Sequence, residues 1–262
     1  MIGAILGDIV GSVYEFKNIK TKDFILFSPN GFFTDDTVMT VAVADALLFS
    51  DTSNIPAFQR LLVERMHLYG TLYPDRGYGN RFLCWLNEGD SKPYNSFGNG
   101  SAMRVSPVAF YARTLDEALL LAQASAAVTH NHPEGIKGAC ATAGAIFLAK
   151  SGESKQEIRR FIERYYNMSF TLDDIRPSYR FYETCEESVP QALEAFLESE
   201  SFEDAIRCAI SIGGDSDTVA AITGGVAEAF YGIPKDLKKK ALAYLDPRLL
   251  GVVKQFTKRY TE

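Results

Sequence analysis

Apolar residues recur at three- and four-residue intervals along most of this chain, while runs of strict apolar–polar alternation, the mark of half-buried strands, are missing. The pattern predicts helices over about 3–14, 37–49, 56–69, 81–87, 102–112, 115–128, 135–150, 154–166, 187–198, 202–211, 217–231, 235–244 and 247–259. Gly152, Gly232-Ile233-Pro234 and Asp246-Pro247 punctuate the later helices, and Asn54-Ile55-Pro56 places a proline in the first turn of another. Two stretches lack a period, 70–101 and 167–186. The first is rich in Gly, Asn, Asp, Tyr and Pro, and an irregular region that long inside a compact domain is uncommon unless it is functional. The fold class expected is all-α, as a single domain over 1–262. The kinship of 34–49 with 215–231 is too short for an internal repeat.

Within the first helix, Gly3, Gly7 and Gly11 fall four apart and so share a face. Glycine inside a helix costs up to about 1 kcal/mol relative to alanine, and close approach of a neighbouring helix or a ligand is the usual compensation. Asp8 stands alone in this apolar stretch, where it would serve as a hydrogen-bonding support.

Composition narrows the function classes only a little. The chain has 262 residues, 47% hydrophobic and 23% charged, which is ordinary for a globular protein with a substantial core. A net charge of −6 argues against a broad nucleic-acid-binding surface. The acidic runs in 153–163 and 183–203 look like solvated helix faces. No uninterrupted apolar run reaches the roughly 18 residues of a membrane span, so no membrane association is expected. Residues 1–8 lack the basic start of a signal peptide. Cys84, Cys140, Cys185 and Cys208 form no C-x-x-C pair and read as reduced thiols, so a cytoplasmic location is expected.

The strongest chemical signal is a repeated one. Phe33-Thr34-Asp35-Asp36-Thr37 and Gly213-Gly214-Asp215-Ser216-Asp217-Thr218 each place two carboxylates and a threonine at the start of a helix. One such cluster is adequately explained as a helix cap. Two of them carry more like charge than capping requires, and like charges repel unless a cation lies between them. An oxygen-only donor set without Cys or His suits Mg2+, Mn2+ or Ca2+.

Three further clusters bear on a ligand. Asn95-Ser96-Phe97-Gly98-Asn99-Gly100 runs into a helix, and left-handed Gly and Asn backbone there would let successive N–H groups converge on a phosphate. Arg104, just inside that helix, reads as an anion ligand or as one half of a structural ion pair, with its place in the helix favouring the pair. Asp75-Arg76-Gly77-Tyr78-Gly79-Asn80-Arg81 sets an aromatic ring between two glycines, where backbone can approach a flat ligand. Thr129-His130-Asn131-His132 holds two of the three histidines, but it lacks the further ligands a zinc site needs. His67 reads as a helix-face residue, and no nucleophilic Ser or Cys arrangement is present.

Taken together, these pieces resemble the ADP-ribosylglycohydrolase family. The resemblance rests on Gly7-Asp8 through Tyr14-Glu15, Phe33–Thr37, Asp75–Gly79, Gly98–Arg104, Thr129-His130 and Gly213–Thr218, six motifs in the family's order over residues 3 to about 230. It implies an orthogonal helical bundle with a binuclear metal site at one end, holding two Mg2+, with Mn2+ an equivalent choice. It implies metal ligands at Thr34, Asp35, Asp36, Asp215, Asp217 and Thr218. It implies substrate contacts at Glu15, Gly77, Gly79, Ser96, Phe97, Gly98, Asn99, Gly100 and His130, and a catalytic carboxylate at Asp36 or Glu15. The activity implied is hydrolysis at C1″ of ADP-ribose, freeing it from a protein, a nucleic acid or a small molecule. Two other readings stand beside it, a non-catalytic nucleotide binder and a metal-dependent phosphohydrolase. A monomer is the expected assembly. The chain departs from better-known members after His130 and by carrying Phe97 where some relatives have tyrosine, which leaves the acceptor open.

Overall fold

The structure, a computed structural model, describes residues 1–88 and 92–261. Among the described residues it is helical throughout, with one isolated antiparallel bridge, Gly98 to Thr184, and no strand. The helices are α1 (Ile2–Gly11), α2 (Asp35–Phe49), α3 (Ile55–Leu72), α4 (Asn80–Asn87) and α5 (Gly100–Met103). They continue with α6 (Ser106–Tyr111), α7 (Leu115–Ala127), α8 (Pro133–Lys150), α9 (Lys155–Ile162) and α10 (Leu172–Ile175). The last five are α11 (Cys185–Glu198), α12 (Phe202–Ser211), α13 (Ser216–Tyr231), α14 (Lys235–Leu242) and α15 (Pro247–Tyr260). None of them is long and apolar enough to cross a membrane.

Local chemistry sets most helix starts. Side chains of Asn54, Thr114, Ser154, Thr184, Ser201 and Asp246 each accept a backbone N–H of the first turn of α3, α7, α9, α11, α12 and α15. His132 does the same for α8, which leaves no reason to seek a metal at that histidine.

Two expectations are corrected. The single helix predicted over 102–112 is two, α5 and α6, separated at Arg104 and Val105. Pro107 sits in the first turn of α6 and has no N–H to continue a helix from α5, while its ring would clash with the carbonyl four residues back. The first helix stops at Gly11 rather than continuing to Tyr14, so Tyr14 and Glu15 lie in a turn. The weakly patterned stretch 167–186 also contains a short helix, α10, closed by a capping box between Thr171 and Asp174. Of the irregular region 70–101, residues 89–91 lie outside the described residues.

The core gathers apolar side chains from nearly every helix around α1, α2, α8, α11 and α13. Helices α1 and α13 lie closest together, and the glycine face explains it. A Cβ at Gly3 would fall 2.1 Å from the Gly224 carbonyl oxygen, and one at Gly7 would fall 2.0 Å from the Ala220 carbonyl oxygen. The starts of α2 and α13 therefore meet across α1.

Candidate metal and ligand site

Asp8 organises this meeting point. Its buried carboxylate accepts the backbone N–H and hydroxyl of Thr34 at 3.0 and 2.7 Å, the N–H of Thr37 at 3.1 Å, and the Thr37 hydroxyl. Burial pushes its pKa up to about 6, and these four donors work against that rise. The start of α2 is thus held to α1 by a carboxylate rather than by apolar contact. Thr34 in turn caps α2, accepting from the Asp36 N–H.

The first acidic pair and the second are brought side by side. The Thr218 hydroxyl donates to Asp36 Oδ2 at 3.0 Å, joining α13 to α2 across 182 residues of sequence. Asp215 occupies the capping position of α13 yet makes no capping bond; its carboxylate accepts instead from the Asn99 amide at 2.7 Å. That diversion separates the site reading from simple capping, because a capping aspartate would bond its own helix. Ligand oxygens of Glu15, Asp215 and Asp217 lie within 4.8 Å of one another. Burial, then mutual repulsion, drives the carboxyls of Asp35, Asp36 and Asp217 far above the ordinary range. Asp215 rises to about 7 and the half-buried Glu15 to about 8, both mainly through burial.

These groups fit a hard divalent cation. Asp36 Oδ1 is buried with no hydrogen-bond partner, and among the described residues no ion pair engages Asp35, Asp36, Asp215 or Asp217. An oxygen-rich pocket with an unpartnered carboxylate oxygen is what Mg2+ or Mn2+ accepts.

The acids form one end of a cavity of about 350 Å3. Its wall includes Glu15, Asp35, Asp36, Asp215, Asp217 and Thr218 at that end, and Gly77, Gly79, Ser96, Gly98, Asn99, Gly100 and His130 along the rest. Thr34 and Phe97 are the two expected site residues that do not line it. Thr34 lies behind the acids with its hydroxyl on Asp8, and Phe97 stands at the surface with its ring edge-on to His132 at 5.5 Å. Gly77, at φ 90°, turns its bare Cα toward Asp35, where a Cβ would sit 3.6 Å from Oδ1. Tyr78 between the glycines is buried against Phe82 in the core, so its ring offers no surface to a ligand.

The Gly-rich loop is arranged differently from the expected nest. Only Asn95 takes the left-handed backbone there, at φ 55°. The Asn99 N–H goes to the Glu183 carbonyl at 2.8 Å and the Gly98 N–H to the Ser96 hydroxyl at 3.2 Å. The segment before α11 splints this loop, since the Cys185 N–H also donates to the Phe97 carbonyl at 3.0 Å. The glycine at 100 is needed for proximity: a Cβ there would fall 3.2 Å from His130 Nε2.

Arg104 is the residue that sequence reasoning assigned least well. It is fully buried, it lines the cavity, and its hydrogen bonds go to neutral acceptors, the Ser125 carbonyl at 3.1 Å and the Thr129 hydroxyl at 2.8 Å. Its Nε has no partner, and burial lowers its pKa to about 10. Through Thr129, Arg104 also orients the His130 ring. The same Thr129 hydroxyl hydrogen-bonds His130 Nδ1 at 2.7 Å, so that Nε2 lies beside Gly98 and Gly100. Burial and then the charges of Arg104 and Arg81 hold His130 neutral. Arg81, over the Tyr94 ring at 5.0 Å, shares this wall. The cavity is therefore polarised, with the acidic cluster in one part of its wall and guanidinium groups with a neutral imidazole in another. Glu183 and Phe181, which also line it, come from the patternless stretch 167–186, and no sequence signal marks them.

Comparison with known proteins agrees with this geometry. The chain matches the ADP-ribosylglycohydrolase family over residues 1–261. It belongs to that family. The ADP-ribosylglycohydrolases most similar to it include ADP-ribosylhydrolase ARH3 of Homo sapiens, 26% identical over 96% of this chain and 90% of that protein. ADP-ribosylarginine hydrolase Tri1 of Pseudomonas putida is 29% identical over 89% of this chain and 70% of its own length. The ADP-ribosyl-[dinitrogen reductase] glycohydrolase of Rhodospirillum rubrum is 26% identical over 95% of this chain and 89% of its own. A solved structure titled ADP-ribosylglycohydrolase-related protein complex shares the fold, with a TM-score of 0.68 at 22% identity, over 99% of this chain and 97% of that one. Membership makes the chain an enzyme of the glycosidic-bond-hydrolysing class.

Proposed function

We propose that this protein is a divalent-metal-dependent ADP-ribosylhydrolase that cleaves the glycosidic bond at C1″ of ADP-ribose attached to an acceptor. The observation that carries this reading is the polarity of the cavity. A diphosphate suits the end lined by Arg104, Arg81 and the His130 ring, and a ribose hydroxyl face suits the acidic end. Asp35, Asp36, Asp215, Asp217, Thr218 and the flanking Thr34 would hold two Mg2+, or Mn2+, which take the same donors. Bound there, the cations would orient the ribose and offset negative charge in the site.

The chain's own groups account for the remaining steps. Gly77 and Gly79 leave room for the distal ribose beside Asp35. Ser96, Gly98, Asn99 and Gly100 shape the wall along the diphosphate, and Phe97 offers an exposed ring at its rim. Asp36 already carries the Thr218 hydroxyl on one oxygen, whereas no hydrogen bond or ion pair among the described residues engages the Glu15 carboxylate. Glu15 is therefore the group assigned to take the proton from the attacking water as the C1″–acceptor bond breaks and the C1″–OH bond forms, and its charge favours the oxocarbenium-like state between. The four free cysteines, three of them buried, fit a reducing cytoplasmic setting.

Calorimetric titration with ADP-ribose, in Mg2+ and then in chelator, tests the site, and product analysis tests the chemistry. Metal-dependent binding with free ADP-ribose released from a modified acceptor is expected. Cleavage of the phosphoanhydride bond instead would establish the phosphohydrolase reading, and binding without turnover on any ADP-ribosyl linkage would leave a binder.

A further inference from the structure

We infer that Asn18 is a positioning residue that holds Glu15 over the acidic cluster by locking the Glu15 turn to the loop that carries Asp215. The inference rests on the role assigned above to Glu15 and the acids.

Glu15 needs an external hold. Asp217, Asp8 and Glu183 all repel its carboxylate, and among the described residues nothing bonds to it. The turn after α1 has little packing of its own to hold it in place, since residues 16–18 are at the surface and Phe16 is 81% exposed. One side chain supplies the hold. The Asn18 amide donates to the Tyr14 carbonyl at 2.7 Å, the Glu15 carbonyl at 2.8 Å and the Gly214 carbonyl at 2.8 Å, with one of its two hydrogens shared. Its carbonyl accepts the Gly214 N–H at 2.8 Å.

Both ends of the Asn18 side-chain amide are thus used, one pair of bonds on the turn that bears Glu15 and a reciprocal pair on Gly214, directly before Asp215. The two segments then move as one piece. Gly214 adopts φ 80°, a conformation the Asn18 bonds help to retain, and a Cβ there would meet Tyr179 at 2.4 Å. Lys20 adds a second tie across the same seam, donating to the Tyr179 carbonyl at 2.7 Å and to the Ile212 carbonyl. Phe16 stacks on Phe181 at 5.9 Å and closes the outer edge.

Two substitutions break this pattern in different ways. Asn18→Asp keeps the size but cannot donate to three carbonyls, and it adds a negative charge beside Glu15. Asn18→Ala removes both halves. Because Asn18 is at the surface, neither change should unfold the protein, and Tm should stay within about 2 °C of the parent. Turnover should fall about tenfold or more, as expected when a reacting group is displaced by a fraction of an ångström to an ångström. KM and the ADP-ribose Kd should stay within about twofold, because the distal cavity wall is untouched. Amide hydrogen exchange in 12–18 and 211–216 should quicken while the helices keep their protection.

Unchanged turnover in both variants would overturn the inference, as would a turnover loss matched by an equal loss of Tm or ADP-ribose affinity. If the parent protein hydrolyses no ADP-ribosyl linkage, the functional reading fails separately. The exchange measurement then decides the tie alone, and unchanged exchange of the Gly214 amide in Asn18→Ala would refute it.

Discussion

Gly11→Ala tests how tightly α1 sets the acidic end of the cavity. A Cβ on Gly11 would lie 2.4 Å from Asp217 Cα, 2.6 Å from its backbone nitrogen and 2.6 Å from the Ser216 carbonyl oxygen. An ordinary carbon–carbon contact needs about 3.5 Å, so α1 and the start of α13 must separate by about 1 Å. These neighbours are backbone atoms, and no rotamer change relieves the clash. Overpacking of this kind costs about 1–3 kcal/mol, which for a chain of this size lowers Tm by roughly 2–10 °C. The displaced atoms belong to Asp217 and Ser216, which adjoin Asp215 and Thr218, and an ångström of displacement at reacting groups costs about 100-fold in turnover. Gly251→Ala is the matched control. Gly251 is exposed within α15 with nothing within 4 Å of a Cβ, so alanine there should stabilise by up to about 1 kcal/mol and leave turnover unchanged. Thermal melts and steady-state kinetics on both variants read the difference. Parent-like turnover in Gly11→Ala, with or without a lower Tm, would refute the claim that this contact sets the site.

Three other outcomes follow from the same geometry. Asp8→Ala strands the Thr34 and Thr37 N–H groups and hydroxyls, and should cost about 3–5 kcal/mol in a denaturant melt; a loss under 1 kcal/mol would show that Asp8 does not brace α2. Arg104→Met should weaken ADP-ribose binding by about 10- to 100-fold in calorimetry, the worth of a charge-assisted hydrogen bond, and unaltered affinity would remove Arg104 from the ligand site. The acid cluster should also link stability to pH. The folded pKa values of Asp215, about 7, and Glu15, about 8, lie above those of the unfolded chain, so the folded state holds extra protons at low pH. That stability is lost as pH rises from about 4 through 8. Buried His130 and the Met1 amine, both lowered mainly by burial, pull the opposite way, so the comparison is of Tm in chelator against Tm in Mg2+ at each pH. The gap between the two should widen with pH, and a constant or shrinking gap would contradict cation binding by these carboxylates.

The local part of this protein was legible in its sequence. Helical periodicity, caps such as Asn54, Thr114 and Ser201, and the two Asp-Thr motifs depend on residues within a few positions of one another, and they appear where the pattern indicates. The glycine face of α1 was legible too, though not its partner. Even one local signal was underread: Pro107, which divides α5 from α6 and leaves Arg104 at the break. Only tertiary structure decided that Asp36 and Thr218 touch, that Asp215 bonds Asn99 instead of capping α13, and that Arg104 ends with an unpartnered nitrogen at the cavity wall. Likewise Glu183, Phe181 and Asn18 owe their places to chain segments far away in sequence. The reason is physical. Helix formation reports short-range geometry, whereas a charge's partner, its burial and its pKa are set by whichever distant segments the core packs against it.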